Sequence, residues 1–536
     1  MIVLATRSRP RRAPYPDWFR LGGHGLPGAY LDKTGASLVS VVPPDQSAVT
    51  PTEYGEQARN PAFGGTFGVR DLTRGMGQRR MRKGPNGRCW YTLNARTRAG
   101  RWIQGPALTS YTPGTVDAAV GITRWFEIGS KIYAGNGRYA LDGGTDGTGW
   151  TVSKDFGSGK AMVDVVVAQT NQTSSTRYAW VGMGDSENFY TFDGTTWTQT
   201  TGANAMKARV WAVDHDTLYR VDDANRLNEC SLDADATLVA NWASATQRIG
   251  GKDHNVVRMQ VNAAGALLLF KADDIYALQA DGAVHRLFQE QQFVPAATNG
   301  EALGQWLNDT YVTYGNATFR LSADGGLTQV GPELLRDNGS PVKGYLSAHH
   351  GTDHFLLSGL YNPDTSAAYL VEYTGEVVQD DYGRVEPVWF GSITAAFTGK
   401  KITSIHVSTI GAPSGHKMAY LGFSDGTISK YVLACTPDPS DCTSEVFSTA
   451  DGSVYLGQIY FWFPGERKAL LHAIGEGDNL SPSTYAQLDY RTSQGASYVA
   501  LGTDFNAGER QTVYFPDSSS CAFLDARVVL KNGAAT

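Results

Sequence analysis

A short pattern of hydrophobic and polar positions recurs along the middle of the chain. An apolar run is followed by a polar tip of two to four residues and then by a second apolar run that often contains tyrosine. The pattern is clearest at residues 266–278, ALLLFKADDIYAL. It predicts two antiparallel strands joined by a tight turn. Six other segments share it: 125–141, 180–197, 210–221, 311–321, 355–373 and 418–432.

Seven such hairpins predict a β-propeller, in which each blade has four strands and about 40–50 residues. Blades packed in a ring cover one another's faces and leave only short, protected edges. The mean spacing of the hairpins fits this size, but the 30 residues between positions 180 and 210 do not. Either the hairpin at 210–221 is the second one of the preceding blade, or one blade is abbreviated. We therefore predict six or seven blades within residues 111–446.

The pattern changes after about residue 447. Apolar residues alternate with polar ones at Leu488 and Tyr490 and again at Val528 and Leu530, which indicates strands with one buried face. Six or seven strands in 90 residues predict a C-terminal β-sandwich over 447–536. The strand-like runs are 455–463, 468–474, 485–490, 497–501, 511–515 and 523–530.

Residues 1–110 show little hairpin pattern and are interrupted by prolines, which favour extended backbone. They contain 17 Lys and Arg against 6 Asp and Glu, a net charge of +11, whereas the rest of the chain carries −17. We therefore predict an extended docking arm for an anionic partner: a neighbouring copy, another protein or nucleic acid. The alternative is that it lies on its own body. The candidate docking residues are Arg7, Arg9, Arg11, Arg12, Arg79, Arg80 and Arg82.

The composition favours an all-β protein, with 61 glycines and 11% aromatic residues. No apolar stretch approaches the roughly 20 residues that cross a bilayer, and the apolar residues 2–5 are too few for a secretion signal. We therefore expect no membrane insertion and a protein that is made and kept in a cytoplasm or is exported by a route not encoded at its N-terminus. Five cysteines argue against a disulfide framework. Cys435 and Cys442 flank a turn-rich loop, and both a reduced pair and a disulfide remain open.

The search for catalytic, cofactor or metal residues assigns none. His349, His350 and His354 stand beside Asp353, but in a turn entering a strand this spacing does not converge, so we interpret them as surface or turn histidines. A glycosidase needs two carboxylates about 5–10 Å apart, and the sequence identifies no pair. Tryptophans at strand positions could stack on sugars but are more typical of a core. They are Trp180, Trp197, Trp211, Trp306 and Trp389.

Three groups of motifs carry a resemblance to a known class of proteins. The first group is residues 54–77, which contain YGE, NP and RDLTRGMG, followed by WIQGP at 102–106. The second is KADDIYAL at 271–278. The third is DYRT at 489–492, followed by YVALG at 498–502, YFP at 514–516 and residues 524–530. With this layout, the chain resembles bacteriophage virion proteins that place a β-propeller and a small C-terminal β-sandwich on the tail. The resemblance implies assembly and host-surface contact, without a shared catalytic set.

The sequence thus predicts a non-enzymatic structural protein of a phage tail, at a tail tip, baseplate, nozzle or fibre hub. Its expected partners are other tail subunits and further copies of itself, with a host-surface glycan or protein as an additional contact. Nucleic acid is the least favoured partner, no cofactor is expected, and the location is the virion, assembled in the host cytoplasm. The alternatives are a carbohydrate-binding propeller and a propeller glycosidase.

Overall fold

The regular secondary structure of the described residues is almost entirely antiparallel β-strand, and it includes single-turn 3-10 helices at Gly184–Ser186, Gly202–Asn204 and Val239–Asn241. The all-β prediction is therefore confirmed. The computed structural model describes residues 2–8, 19–20, 29–31, 38–40, 64–69, 89, 91–98 and 101–532, apart from gaps at 118, 244–246, 280–281, 289–292, 332–335, 338–339, 342–343, 380–384, 434–445, 460–467, 476, 478–479, 494, 503, 508–509, 517–519 and 522–523.

Seven consecutive antiparallel sheets occupy the described residues between 109 and 432, and we call them blades 1 to 7. Each has four strands, which follow the chain order except in blade 7, and Phe397–Thr398 adds a short fifth strand to blade 6. The strands are Arg124–Ile128, Lys131–Asn136, Tyr139–Asp142 and Thr151–Asp155 in blade 1; Asp164–Gln169, Arg177–Gly182, Tyr190–Phe192 and Trp197–Gln199 in blade 2; Val210–Asp214, Thr217–Val221, Arg226–Ser231 and Gln247–Arg248 in blade 3; Val256–Val261, Leu267–Lys271, Ile275–Leu278 and Val284–Arg286 in blade 4; Leu303–Trp306, Asp309–Tyr314, Ala317–Leu321 and Leu327–Gly331 in blade 5; Tyr345–Gly351, Leu356–Asn362, Ala367–Gln379 and Val385–Phe390 in blade 6; and Ile402–Ser408, Met418–Phe423, Ile428–Val432 and Thr109–Tyr111 in blade 7.

The blades form a closed ring. Blade 7 lies against blade 1, where the Ser404 hydroxyl donates to the Ile122 carbonyl at 2.6 Å and the Trp125 indole donates to Ser404 at 2.8 Å. The outer strand of blade 7 is Thr109–Tyr111, which precedes every other blade strand in the chain and pairs with Ile428–Val432. The β-propeller prediction is thereby confirmed, because the sheets are arranged radially and the two ends of the ring are joined by backbone hydrogen bonds.

The uneven spacing of the hairpin pattern has a simple structural origin. In blades 1 and 3 the pattern begins on the first strand of the blade, whereas in the other five it begins on the second. The first strands themselves start at residues 124, 164, 210, 256, 303, 345 and 402, so their spacing varies only between 40 and 57 residues. The 30-residue interval between the two hairpin patterns therefore reflects neither an abbreviated blade nor a second hairpin of the preceding blade. Residues 210–221 form the first two strands of blade 3.

Adjacent blades bury both faces of an interior strand, which explains its continuous apolar sequence. In Leu267–Lys271 all five residues are buried. Leu267 and Leu269 pack towards blade 3, whereas Leu268 and Phe270 pack towards blade 5. Successive side chains of a strand point to opposite faces. An apolar residue is therefore favoured at every position when both faces are covered.

The C-terminal residues, together with three strands from residues 1–110, form two sheets that share a core, so the sandwich extends beyond its predicted span of 447–536. Ala473 and Val513 of one sheet belong to the same buried cluster as Leu488 and Val528 of the other. The first sheet contains Gln511–Tyr514, Lys468–Gly475, Ile2–Ser8 and Gly64–Val69, with Ser520–Cys521 beside the second of these; the other contains Val499–Ala500, Thr484–Arg491, Leu524–Asn532, Gly452–Ile459 and Tyr91–Leu93.

Four of the described strands that begin within residues 1–110 join sheets of the protein's own body, namely Ile2–Ser8, Gly64–Val69, Tyr91–Leu93 and Thr109–Tyr111. Ile2–Ser8 lies between Lys468–Gly475 and Gly64–Val69, and the ring strand Thr109–Tyr111 crosses the predicted boundary at 110. These pairings agree with the alternative expectation, that residues 1–110 lie on the protein's own body. That this segment binds a partner stays a prediction. The remaining strands outside the two domains are Phe19–Arg20, Ala29–Leu31, Leu38–Ser40, Ala95–Arg98, Arg101–Gln104, Arg336–Asp337 and Ser340–Pro341.

A buried joint connects blade 6 to the sandwich strand Tyr91–Leu93 and to the strand Ala95–Arg98 that directly follows it. Arg96 forms an ion pair with Glu372 of blade 6, and their side chains are only 0% and 4% exposed. Around this pair, the Asn94 amide donates to the Thr394 carbonyl at 3.0 Å, and the Ser392 amide donates to the Thr92 carbonyl at 3.0 Å. The joint therefore combines a desolvated ion pair with backbone hydrogen bonds. Both kinds of contact restrict motion between the two domains, unlike a flexible linker.

Candidate functional site at the propeller axis

One end of the propeller axis is closed by ion pairs. Near the start of the first strands, Asp164 accepts hydrogen bonds from Arg124 Nε at 2.9 Å and Arg258 Nη1 at 3.1 Å. Its other oxygen accepts the Trp211 amide at 3.0 Å. Arg258 Nε also reaches the Glu301 carbonyl at 3.4 Å. We call Arg124, Asp164 and Arg258 the axial plug; with Trp211 and Glu301 it connects blades 1 to 5.

The plug is built for stability and not for proton transfer. Asp164 is only 5% exposed, and both of its oxygens are occupied. Burial lowers the pKa of Arg258 to about 10, and repulsion from Arg124 adds to this while Asp164 opposes it. The guanidinium is nevertheless charged at neutral pH. A buried carboxylate between two cations is stable only while all three charges remain.

Near the other end, where the first strands finish, a pocket of about 570 Å³ opens between blades 5, 6, 7 and 1. We call it the axial pocket. Its wall is mainly polar: Glu127, Gln305, Asn308, His350, Thr352, Asp353, Ser408, Thr409 and Lys417 contribute, together with Trp306, Leu307, Gly351 and Val407.

Glu127 is the best-positioned acidic group of the pocket. Its Oε1 lies 2.7 Å from His406 Nε2, and its side chain is 35% exposed. Burial by itself would raise the pKa of Glu127, but hydrogen bonds from His406 and Ser408 outweigh it and lower the pKa of the carboxyl below its ordinary value. Glu127 is therefore an ionised acceptor facing the pocket at neutral pH.

The aromatic wall of blades 7 and 1 fixes the orientation of His406. The His406 ring stacks on Trp125 with centroids 6.2 Å apart and an interplanar angle of 12°. Trp125 is held in turn by its hydrogen bond to Ser404 and by an edge contact with Trp150 at 5.7 Å. Glu127 is thus held by a partner whose own position is set by packing.

The interpretation of the dense histidine group was wrong for two of its members, since His349 and His350 lie within strand Tyr345–Gly351. His349 is 4% exposed and bridges Thr313 at 2.9 Å and Ser358 at 2.8 Å. Burial lowers its pKa to about 3. His349 is therefore a neutral core residue between blades 5 and 6.

His350 points to the opposite side of the same strand and lines the axial pocket. Its ring lies 5.6 Å from that of His406. Burial lowers the pKa of His350 to about 3, and repulsion from His406 contributes in the same direction. The pocket therefore holds a neutral imidazole beside the Glu127–His406 pair.

The rim of the pocket contains a cation that is already neutralised. Lys417 Nζ lies 2.8 and 2.7 Å from the two carboxylate oxygens of Asp353. Next to this pair, the turn at Leu307 and Asn308 has φ values of 48° and 70°, and Leu307 is 64% exposed. Leucine rarely adopts this backbone conformation, so the turn carries strain at the pocket mouth.

Of the seven predicted docking residues, Arg7 lies within the described part of the chain. Arg7 lies on strand Ile2–Ser8, where its backbone pairs with Ala469. The other six, Arg9, Arg11, Arg12, Arg79, Arg80 and Arg82, lie outside the described residues, as do Cys435 and Cys442.

Four of the five singled-out tryptophans are core residues: Trp180, Trp211, Trp306 and Trp389 are at most 4% exposed. Trp197 is half-buried and stacks on Phe192 with centroids 4.3 Å apart. In the part of the chain that the structure describes, no group of three or more His, Cys, Asp or Glu side chains is arranged to hold a metal ion. Over the same residues, no helix has the length and apolar character needed to cross a membrane.

Comparisons with known proteins concern the fold alone. No family model matches the chain, and no curated protein does. Solved structures that it resembles include virginiamycin B lyase from Staphylococcus aureus with quinupristin (10% identity, TM-score 0.40, 61% of this chain and 99% of that one) and YCF48 from Cyanidioschyzon merolae (10%, 0.40, 60% and 98%). Another is the extracellular domain of the putative one-component system BT4673 from B. thetaiotaomicron (10%, 0.42, 77% and 48%).

Proposed function

We propose that this protein is a non-enzymatic structural component of a bacteriophage tail. The proposal rests on the resemblance of the chain to tail proteins with a propeller and a C-terminal sandwich. The observation that supports it best is the buried joint between the two domains. A tail subunit must transmit force between its neighbours, and a desolvated ion pair such as Arg96–Glu372 suits a rigid connection. Domains with independent functions usually move relative to each other.

The axial pocket argues against the glycosidase alternative. A glycosidase needs a protonated carboxyl as general acid, with a raised pKa. Glu127 has a lowered pKa instead, and Asp353 holds Lys417 with both oxygens. The proposed role is therefore one of assembly, with the partners expected to be other tail subunits and further copies of this chain in the virion.

The test is to delete the reading frame from a phage genome that carries it and to complement it with a tagged full-length chain. We expect the tag to band with purified virions and to be located on the tail by labelled electron microscopy. Normal, infectious particles without the protein would contradict the proposal. A deletion of the N-terminal residues is unsuitable, because it would remove strand Ile2–Ser8 from the sandwich.

The joint provides a sharper variant of this test. Glu372→Gln leaves Arg96 buried without its counter-charge, and breaking such a pair costs about 3–5 kcal/mol. We expect earlier proteolysis between the domains and fewer particles that contain the protein. Asp142→Asn breaks the half-exposed pair with Lys131 and serves as the control, with both readouts expected to match the original chain. Equal incorporation of both variants would show that the joint plays no part in assembly.

A further inference from the structure

We propose that the axial pocket binds a sugar unit of a bacterial surface glycan. This inference rests on the proposed tail function and assigns its host-surface contact to a defined site. The pocket of about 570 Å³ is open at the end of the axis opposite the axial plug. A ligand could therefore enter the propeller at this end of the axis.

The chemistry of the wall excludes several ligand classes. The carboxylates of Glu127 and Asp353 repel an anion, and Lys417 is already neutralised by Asp353. Among the described residues, no set of ligands for a metal cation is present. A large apolar ligand would leave the polar wall without hydrogen-bond partners, which costs free energy.

A neutral polyhydroxylated ligand could form hydrogen bonds with the polar groups of the wall without a charge or a large apolar surface. Sugar hydroxyls both donate and accept, and the wall offers an ionised acceptor in Glu127, amides in Gln305 and Asn308, and a hydroxyl in Thr409. The exposed Leu307 side chain provides an apolar contact at the mouth for the C–H face of a sugar ring.

Two features indicate that the site is prepared before a ligand arrives. Glu127 is held in place by His406, which itself stacks on Trp125, so little side-chain freedom is lost on binding. In addition, Leu307 and Asn308 form the two-residue turn between Leu303–Trp306 and Asp309–Tyr314, with positive φ at both positions, and this hairpin turn fixes Leu307 at the pocket mouth. Trp306, also in the wall, has its indole Nε1 buried without a hydrogen-bond partner among the described residues.

The experiment uses the purified full-length chain on an array of bacterial surface polysaccharides, followed by calorimetry with the best polysaccharide and with its free monosaccharides. We expect binding to at least one polysaccharide. Competition by a free monosaccharide would place the terminal sugar in the pocket, whereas competition only by longer fragments would place an internal unit there. An array without any bound polysaccharide over a wide concentration range overturns the inference.

Three variants locate the binding. Glu127→Gln removes the ionised acceptor but keeps its shape, and Thr409→Trp fills the pocket from an exposed position. We expect each to weaken binding at least tenfold. The matched control is Asp214→Asn, because Asp214 also ends a first strand and pairs with a histidine, His215, at 2.6 Å, but lies outside the pocket. Unchanged affinity of both pocket variants would sink the inference.

Failure of this inference can be told apart from failure of the tail function. If the glycan site is wrong but the tail role is right, Glu127→Gln will be incorporated into virions and will adsorb to host cells as the original chain does. If the tail role is wrong, the protein will be absent from virions whatever the array shows.

Discussion

The two ends of the propeller axis use similar residues for opposite purposes. At the plug, a carboxylate lies between two arginines, and its three hydrogen bonds leave it only 5% exposed. At the pocket, Glu127 is held on one side by His406 and remains 35% exposed. The difference shows that an acidic side chain on an inner strand is not by itself a functional signal. What matters is whether its hydrogen-bonding capacity is exhausted within the fold.

Removal of the charge of Asp164 should have the largest effect. Asp164→Asn leaves the partly buried Arg124 and Arg258, whose side chains are 15% and 21% exposed, without a counter-charge, so the free energy of unfolding should fall by up to about 3–5 kcal/mol. Urea denaturation at pH 7 measures this. An equal loss in the free energy of unfolding for Glu127→Gln would contradict the proposed difference between the two ends of the axis.

The second prediction concerns the pH dependence of stability that arises from His349 in the core and its neighbour His350 at the pocket. The folded-state pKa of His349 is about 3 and the ordinary value is 6.5. Between these pH values the unfolded chain binds a proton that the folded protein does not, so stability falls as the pH falls through this window. The loss is up to about 1.4 kcal/mol per pH unit for this residue. His350 should add to it, since its pKa is also about 3.

The measurement is urea unfolding at several pH values between 7 and 4. His349→Gln should give a flatter pH profile, because it removes one of the two neutral histidines. His354→Gln serves as the control, since His354 is exposed in the neighbouring turn. A pH slope that is the same in both variants and the original chain would show that His349 does not stay neutral in the fold.

The smallest stability effect is expected for Glu127→Gln. A half-exposed pair such as Glu127–His406 contributes about 0–1 kcal/mol, so the free energy of unfolding should hardly change. The same substitution should nevertheless reduce glycan binding strongly. A large loss of stability would mean that Glu127, like Asp164, belongs to the scaffold.

The fold was predictable from sequence because its units are local. Each hairpin, such as residues 266–278, contains both of its strands and its turn within a few residues. The pocket was not predictable, because Glu127, His350 and His406 come from blades 1, 6 and 7 and meet only when the ring closes. The prediction of a surface position for His349 was wrong because Thr313 and Ser358, on neighbouring strands, form hydrogen bonds with both nitrogens of its buried ring. These partners become neighbours of His349 only in the folded protein.

The closing strand Thr109–Tyr111 also has a consequence for the order of folding. It leaves the ribosome before any complete blade, yet its partner, Ile428–Val432, is made more than 300 residues later. At 5–20 residues per second, synthesis of that interval takes on the order of 15–60 s. During that time the nascent ring has two unjoined ends. The seam between blade 7 and blade 1 is therefore where a growing chain is most vulnerable to pairing with a neighbour on the same messenger RNA.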